Sequence, residues 1–510
     1  MPWRDAWQLF PLSPLSFLFS IPRSIFQVLP PIERGYGVLL VWFGFLCLGC
    51  GSSFSHYAKV DRSLSEGHSE QAVQIIQEAE DDYGKKNRLL FLLDKGMVLH
   101  LAGQYAESNT VLEKAHLLVE DFYTKRLREE ASALLVNEAE LPYEGAPYEH
   151  VMINVIKALN FSLLQQWNEA LVEGRRIDHR LNVLSDKIGQ KDAYREDPFA
   201  RYIVGLLYEM VGDFNNAYVG YRKSETLYEE DRGWTRVPLP ETLKKDLIRM
   251  ATALGVKDDV ETYRLKYPEV TDEFQPTSPS NLAQVVVISY QGKGPKKEDL
   301  TIDVPVSLDA LALVALTKPG FGRSSRTTRS GQALLYGIHG RIARISLPRF
   351  SMQKSTESYD AIQIKSTTTT IDARSESMYD VQAVAEKTLA DEYDSLVLRA
   401  VARTAMKMAA AEGIGIGAGA LMGGNNRNWI GPLVGGIARI FALATEEADT
   451  RIWRTLPGKI QLTRIWLEPG EYSITIRAMD HNGQDVGTSR DERLQLKDGE
   501  TRFFLHQSFR

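Results

Sequence analysis

The fold of the N-terminal half is decided by the stretch Gly205-Leu-Leu-Tyr-Glu-Met-Val-Gly-Asp-Phe-Asn-Asn-Ala217. Gly205 lies three residues before Tyr208, so both fall on one face of a helix. Gly212 then ends the first apolar pattern, and Phe214 and Ala217 begin a second one. A small residue lets two helix backbones approach, while an aromatic ring fills the space beside it. The spacing predicts an antiparallel helix pair with a tight turn at Gly212.

The same offsets recur upstream in the chain. The three units are Gly96, Leu99, Gly103, Tyr105, Ser108, Leu112 and Ala115; then Ala158, Phe161, Gln165, Trp167, Ala170, Gly174 and Ile177; then Gly205, Tyr208, Gly212, Phe214, Ala217, Tyr221 and Ser224. A partial unit begins at Gly67. Recurrence at constant offsets is typical of helical repeats, and these units resemble tetratricopeptide (TPR) repeats. We therefore predict a TPR-like helical repeat domain over residues 66–265.

The turns of these units are unequally spaced along the chain. They lie at positions 67, 103, 165 and 212, so loops must be inserted between units, notably at residues 141–147 and 190–198. The alternative is an irregular helical bundle without repeat symmetry.

Beyond a polar, proline-punctuated linker at residues 266–282, the sequence becomes strand-like. The strand-like segments are residues 283–290, 340–347, 361–366, 459–467, 472–478 and 501–505. The segment 472–478 alternates apolar and polar residues, which indicates a half-buried antiparallel strand. We predict an α+β multidomain fold, in which a β-sandwich-like domain of two parts, 283–379 and 447–510, follows the helical array.

A helical, glycine-rich insertion over residues 380–446 separates those two parts. Gly415, Gly419 and Gly423 are four residues apart, which gives a helix a flat stripe for close packing, as in membrane helix dimers. The sharper hypothesis is a secondary membrane or oligomer contact. The alternative is two helices that pack on the protein's own core, or a flexible glycine loop. Just after the insertion, Arg451 and Arg454 flank Trp453, and we expect them to stack on its indole ring.

The N-terminal residues 1–50 combine basic residues with a short apolar core that ends in Leu48-Gly49-Cys50. This layout is typical of a secretory signal, and its end looks like the lipobox of bacterial lipoproteins. We expect Cys50 to carry the lipid, with residues 51–65 as a linker. The uncharged stretch is also long enough for an uncleaved membrane anchor. Either interpretation predicts a protein anchored in the bacterial cell envelope that faces the periplasm or the cell exterior.

Composition excludes some classes of function. The net charge is −6 and no basic face stands out, so we expect no nucleic-acid binding. Both cysteines, Cys47 and Cys50, lie in the N-terminal segment, so residues 51–510 contain no thiol for a disulfide or a metal site.

No catalytic constellation is recognised in the sequence. There is no Walker loop and no zinc spacing, so we predict neither an enzyme nor a cofactor. Glu144, Glu149 and His150 are close enough in sequence to bind a metal or exchange protons, but we favour a solvated helix start after the Pro147 turn. Arg175, Arg176 and Arg201 are candidate contacts for an acidic peptide or carboxylate, with solvent-facing positions or intramolecular ion pairs as the alternative.

Several strings resemble a family of uncharacterised bacterial lipoproteins. They are Lys86-Asn-Arg-Leu-Leu-Phe-Leu-Leu-Asp-Lys-Gly96, Leu141-Pro-Tyr-Glu-Gly145, Asp197-Pro-Phe-Ala-Arg-Tyr202, Ile345-Ser-Leu-Pro-Arg-Phe350 and Ala448-Asp-Thr-Arg-Ile-Trp-Arg-Thr-Leu-Pro457. The resemblance covers most of residues 60–510. It implies a lipoprotein signal, TPR-like helices and a C-terminal β-rich region, and it implies no activity.

Together these features predict a membrane-anchored scaffold that binds an unknown protein or peptide in a TPR-like groove. Helical solenoids expose such extended binding surfaces. The alternatives are a structural component of an envelope assembly or export complex and, less favoured, an envelope enzyme.

Overall fold

The structure is a computed structural model of the chain, and its first half consists of helix pairs. It describes residues 55–129, 138–185, 194, 196–230, 235–271, 282–305, 342–351, 353–394, 396–397, 399–400 and 447–510. The helices of this half are α1 (His56–Ser65), α2 (Ser69–Glu78), α3 (Glu80–Tyr83), α4 (Arg88–Leu101), α5 (Tyr105–Glu129), α6 (Pro147–Leu163), α7 (Trp167–Ser185), α8 (Pro198–Met210), α9 (Phe214–Glu230), α10 (Glu241–Ala253), α11 (Lys257–Lys266) and α12 (Pro268–Thr271).

Five of the connections between these helices share one turn. Their central residues have φ between 60° and 80° and are Gly67, Gly103, Gln165, Gly212 and Gly255. In each turn the following N–H group donates to the carbonyl five residues before it, which is the helix-ending Schellman pattern. The described residues therefore contain five helix pairs, α1–α2, α4–α5, α6–α7, α8–α9 and α10–α11. The partial unit at Gly67 is a complete pair, and the pair around Gly255 is an addition to the predicted units.

Ten strands follow in the described residues. They are β1 (Ala283–Lys293), β2 (Lys296–Pro305), β3 (Ile342–Ser351), β4 (Tyr359–Lys365), β5 (Thr370–Arg374), β6 (Glu376–Asp380), β7 (Pro457–Leu467), β8 (Gly470–Met479), β9 (Asp485–Leu496) and β10 (Thr501–Ser508). An inner sheet has the order β10-β1-β7-β6 and an outer sheet the order β5-β4-β8-β9. Only the β1–β10 pair among these is parallel.

The two four-stranded sheets pack on a shared apolar core. The inner sheet contributes Val285, Val287 and Ile465, and the outer sheet contributes Ile362 and Ile476, all buried. Each sheet combines strands from before and after residues 380–446. The chain thus contains both TPR-like helix pairs and β-sheets, in agreement with the predicted α+β class.

The inner sheet is covered on both faces, because its second face contacts the helix pairs. Strand β1 is therefore buried along almost its whole length, which explains its near-continuous apolar sequence. Strand β4 in the outer sheet alternates between buried and partly exposed residues instead. The architecture is three layers, in the order helices, inner sheet, outer sheet.

Strands β2 and β3 form a separate two-stranded ribbon with Leu300 opposite Leu347. Helix α13 covers residues 381–394, and residues 396–397 and 399–400 are also helical. Its Leu396 packs with Ile345 and Leu347 in a small apolar cluster. We call the ribbon and α13 the arm. Cys50 and the glycine stripe Gly415, Gly419 and Gly423 lie outside the described residues.

Candidate functional site

Small residues bring the two helices of a pair together, as predicted from the repeat units. An added Cβ on Gly96 would overlap the side chain of Leu112, and one on Gly205 would lie 2.7 Å from the Tyr221 ring. Ala158, Ala170 and Ala217 are fully buried. The glycine that approaches Gly205 most closely is Gly220, whose added Cβ would lie 2.8 Å from the Gly205 Cα.

The aromatic residues of the predicted units differ in how exposed they are and in what they contact. Tyr105, Phe161, Trp167 and Tyr208 are partly buried, while Phe214 is 36% exposed. The Trp167 ring lies 5.7 Å from the ring of Phe503 on β10, so it contacts the inner sheet rather than a free groove. Gly103 and Gly212 are the positive-φ residues of their turns.

The first helices of the pairs face the protein's own inner sheet. On α4, His100 Nε2 lies 3.1 Å from the Tyr290 hydroxyl of β1. On α8, the Phe199 ring stacks on Tyr379 of β6 at 5.3 Å between ring centroids. This is the face that we expected to form an open binding groove, so that expectation needs correction. The sheet fills the groove because both surfaces are apolar and carry complementary polar groups.

A buried cluster of four charged side chains lies at the centre of this contact. Arg464 of β7 donates from Nη1 to Asp246 at 2.6 Å and from Nη2 to Glu209 at 2.8 Å. Arg249 donates from Nη2 to the same two carboxylates, at 2.8 Å each. The side chain of Arg464 is fully buried, and its guanidinium lies over the Trp466 ring at 4.9 Å.

The charges of this cluster balance across the contact. Helices α8 and α10 supply two carboxylates and one guanidinium, and the sheet supplies the second guanidinium. Burial raises the pKa of Glu209, but the charges of Arg249 and Arg464 outweigh it and hold that pKa far below its usual value. Two tyrosines complete the cluster, since Tyr202 donates to Asp246 and Tyr221 donates to Glu209.

A strap formed by residues 448–456 crosses from the insertion side of the chain to the helices. The Trp453 N–H group donates to Glu149 at 2.8 Å, and the Thr455 hydroxyl donates to Asp94 at 2.9 Å. Arg451 donates to the Asn87 side chain at 2.9 Å. The strap therefore fastens the β half to α4 and α6.

Glu149 beside the strap is buried, which corrects the predicted solvated helix start for that residue, while Glu144 and His150 are partly exposed. Glu149 is 0% exposed and accepts hydrogen bonds from the Ala146 N–H group and the Tyr143 hydroxyl. His150 Nε2 lies 2.8 Å from the carbonyl oxygen of Glu144, not from its carboxylate. Glu149 is thus bonded to the strap and to its own helix start.

Burial shifts the pKa values of two inner-face residues in opposite directions. Burial raises the pKa of Asp94 to about 6, although hydrogen bonds from Tyr57, Tyr83 and Thr455 oppose the shift. Burial lowers the pKa of His100 to about 4, against a smaller opposing effect of its hydrogen bond with Asn160. Both groups are thus biased toward their neutral forms.

The three arginines proposed as ligand contacts do not lie together. Arg201 is 2% exposed and its guanidinium is paired with Asp178 and Glu196. Arg176 is half-buried and paired with Glu113 and Glu173, which also bind the buried Lys157. Arg175 is exposed. Arg176 and Arg201 therefore form intramolecular ion pairs, as in the alternative interpretation of the sequence. Ligand contact through Arg175 stays a prediction.

The outer face of the array, formed by the second helices, carries isolated apolar residues. Val172 on α7 is 46% exposed and Val219 on α9 is 50% exposed. Each lies seven residues after its turn residue, Gln165 or Gly212, so the two are equivalent positions in successive pairs. Leu117 on α5 is also exposed, at 58%.

Neither a protein-family model nor a curated protein matches this chain. Solved TPR proteins show a faint similarity. MamA, residues 41 to end, from Desulfovibrio magneticus RS-1 is 17% identical over 44% of this chain and 95% of that chain, with a TM-score of 0.28. A putative kinesin light chain with nearly identical TPR-like repeats, from Podosopora anserina, is 13% identical over 45% of this chain and 100% of that chain, with a TM-score of 0.31.

The described residues contain neither a group of metal-ligating side chains nor a helix that could span a membrane. No three His, Cys, Asp or Glu side chains come together there as a metal site. None of the helices in the same ranges is both long and apolar enough to cross a membrane.

Proposed function

We propose that this protein is a scaffold of the bacterial cell envelope, anchored through its N-terminal segment, that binds protein partners on the outer face of its helical array. The observation that carries the proposal is the filled inner face. Because the inner sheet and the strap bury the first helices, the second helices carry the surface of the array that a partner can reach.

The exposed positions on that surface support a protein partner. Val172 and Val219 occupy the same offset in successive pairs, so each presents an exposed apolar side chain on a second helix. Apolar side chains at the centre of an interface, surrounded by polar ones, are the common arrangement in protein complexes. Around Val219 the exposed neighbours are polar or charged, as Asn216 and Arg222 illustrate.

We expect a photo-reactive amino acid at Val172 to capture a protein in living cells. The Val219→Glu substitution should abolish that capture, because it places a charge in the proposed interface on the second helices. Thr226→Glu is the matched control, since Thr226 is exposed on the same helix and should leave capture intact. Mass spectrometry identifies the captured chain. Capture that survives Val219→Glu would contradict the outer-face interface.

The proposed lipid anchor has an internal control, because the chain contains a second cysteine three residues away. In cells fed an alkyne fatty acid, we expect the intact protein and Cys47→Ala to carry the label and Cys50→Ala to lose it completely. Label that remains in Cys50→Ala would refute lipidation at this position. An unlabelled protein that stays in the membrane fraction would favour an uncleaved anchor instead.

A second candidate function is a component of an envelope assembly that makes its contacts through the arm. The observation that favours it is connectivity. Within the described residues, strand β2 of the arm ends at Pro305, strand β3 begins at Ile342, and the helical part of the arm reaches residue 400. Residues 306–341 and the glycine-rich residues 401–446 are thus both attached to one ribbon and helix. If a photo-reactive amino acid at an exposed arm position such as Arg349 captures a protein in cells, and one at Val172 captures none, the result would favour this second function.

A further inference from the structure

The exposed face of the outer sheet contains a notch between two arginines. Arg374 on β5 and Arg477 on β8 flank Ala361 on the strand between them, since Ala361 is paired with both in the sheet register. The methyl group of Ala361 leaves the space between the two guanidinium groups open. Tyr359 closes one end of the notch, which has a volume of about 350 Å³.

The two arginines differ from most of the other arginines in the described part of the chain. Within the described ranges neither Arg374 nor Arg477 forms an ion pair, whereas Arg176, Arg201 and Arg464 each bind carboxylates. The Arg374 guanidinium lies over the Tyr359 ring at 4.7 Å, which restrains it beside the notch. Both side chains are exposed, so the notch is open to solvent.

Arg374, Ala361 and Arg477 form one row across strands β5, β4 and β8, and the two arginines make this row basic. In the next row across the sheet, Asp372, which also lines the notch, accepts a hydrogen bond from Gln363 at 2.7 Å, and Asp491 accepts one from Thr475 at 2.5 Å. These two carboxylates are therefore engaged within their own row. The guanidinium groups retain free donors, and a guanidinium fork matches the two oxygens of a carboxylate or phosphate.

We propose that this notch binds the carboxylate or phosphate group of a small ligand between Arg374 and Arg477. Adjacent strands are about 4.8 Å apart, so two residues on either side of β4 are separated by about 10 Å. That distance lets two long side chains grip one oxyanion from both sides. The volume lies at the lower end of the range for small-molecule sites, about 300–1,000 Å³. The site is independent of the outer-face interface and of the anchor.

Calorimetric titration of the full chain with inorganic phosphate and, separately, with malonate tests the proposal. We expect saturable binding of at least one anion, and its dissociation constant should rise about tenfold or more in Arg374→Gln/Arg477→Gln, because charge-assisted hydrogen bonds are lost. Lys365→Gln/Arg493→Gln is the matched control. It removes the same charge from the same face, where Lys365 and Arg493 flank Ser473, and should change the dissociation constant less than threefold.

A further variant separates shape from charge. Ala361→Val fills the notch and keeps both guanidinium groups, so we expect it to weaken binding as well. Tighter binding of phosphate or of malonate identifies which oxyanion the site prefers. The proposal is overturned if neither anion binds saturably, if both double variants weaken binding equally, or if Ala361→Val binds like the intact chain.

Discussion

Replacing Arg464 by methionine is expected to lower the free energy of unfolding by about 3–5 kcal/mol. The guanidinium is fully buried and bonds both Glu209 and Asp246. Without it, two buried carboxylates would share the single positive charge of Arg249. Removing one partner from a buried ion pair costs this much because the remaining charge stays desolvated and uncompensated.

Urea denaturation followed by tryptophan fluorescence measures the effect. Arg477→Met is the matched control, because Arg477 is an exposed arginine on the neighbouring sheet and its loss should change the free energy by less than about 0.5 kcal/mol. Equal, small effects of the two substitutions would show that Arg464 is not buried against the helices.

Replacing Gly220 by leucine is expected to destabilise the α8–α9 pair by about 3 kcal/mol. An added Cβ would lie 2.8 Å from the Cα and 3.0 Å from the N of Gly205. Those atoms belong to the backbone of the partner helix, so a rotamer change cannot relieve the overlap and the helices must move apart. Forced overpacking of this kind usually costs about 1–3 kcal/mol, and the backbone contact places this site at the upper end.

The adjacent residue provides the control for Gly220. Val219→Leu adds one methylene at an exposed position on the same helix, so its free energy of unfolding should stay within about 0.5 kcal/mol of the intact chain. Thermal or urea unfolding compares the two variants directly. A Gly220→Leu protein as stable as Val219→Leu would mean that the two helices are not in close contact.

The helix pairs were predictable where small residues recur at fixed offsets. The turns at Gly67, Gly103, Gln165 and Gly212 are all Schellman turns in the structure. The turn at Gly255 was missed, since Ile248 and Val260 occupy the offsets where other pairs have small residues. Gly220 was also outside the predicted units, although it makes the tightest backbone contact of its pair.

Some strands were also predictable from the sequence and others were not. Strands β1 and β7 have long apolar runs because helices and a second sheet cover them. Strands β2, β5, β6 and β9 were missed because they are short or largely polar, and β9 in particular carries charges along an exposed sheet edge. A strand that buries only one face, or part of one, leaves a weak periodic signal.

The inner-face contacts could not be found from sequence spacing. Arg464 is 255 residues from Glu209 along the chain. Their signal is a charged residue that follows directly on an apolar run, as Asp94 follows Leu89-Leu-Phe-Leu-Leu93. Such a charge suggests a buried partner but does not say which one. The stacking that we expected between Arg451, Arg454 and Trp453 was wrong, since the two arginines lie over Tyr143 and Tyr57 of the helical half.

The filled inner face changes how the array can bind. TPR-like helix pairs are usually considered for the groove that their first helices line. Here that surface is part of the core, and the two halves of the protein stabilise each other through it. Partners must then be sought on the second helices, on the arm, or at the notch of the outer sheet.

A double-mutant cycle between Arg464→Met and Asp246→Asn tests this central claim most directly. Arg464 belongs to the inner sheet and Asp246 to helix α10, so a coupling energy between them reports contact between the halves. The account predicts a coupling of about 2 kcal/mol or more, as for residues that share a hydrogen-bonded network. If the two single effects add to within about 0.5 kcal/mol, the sheet does not occupy the inner face and the account is contradicted.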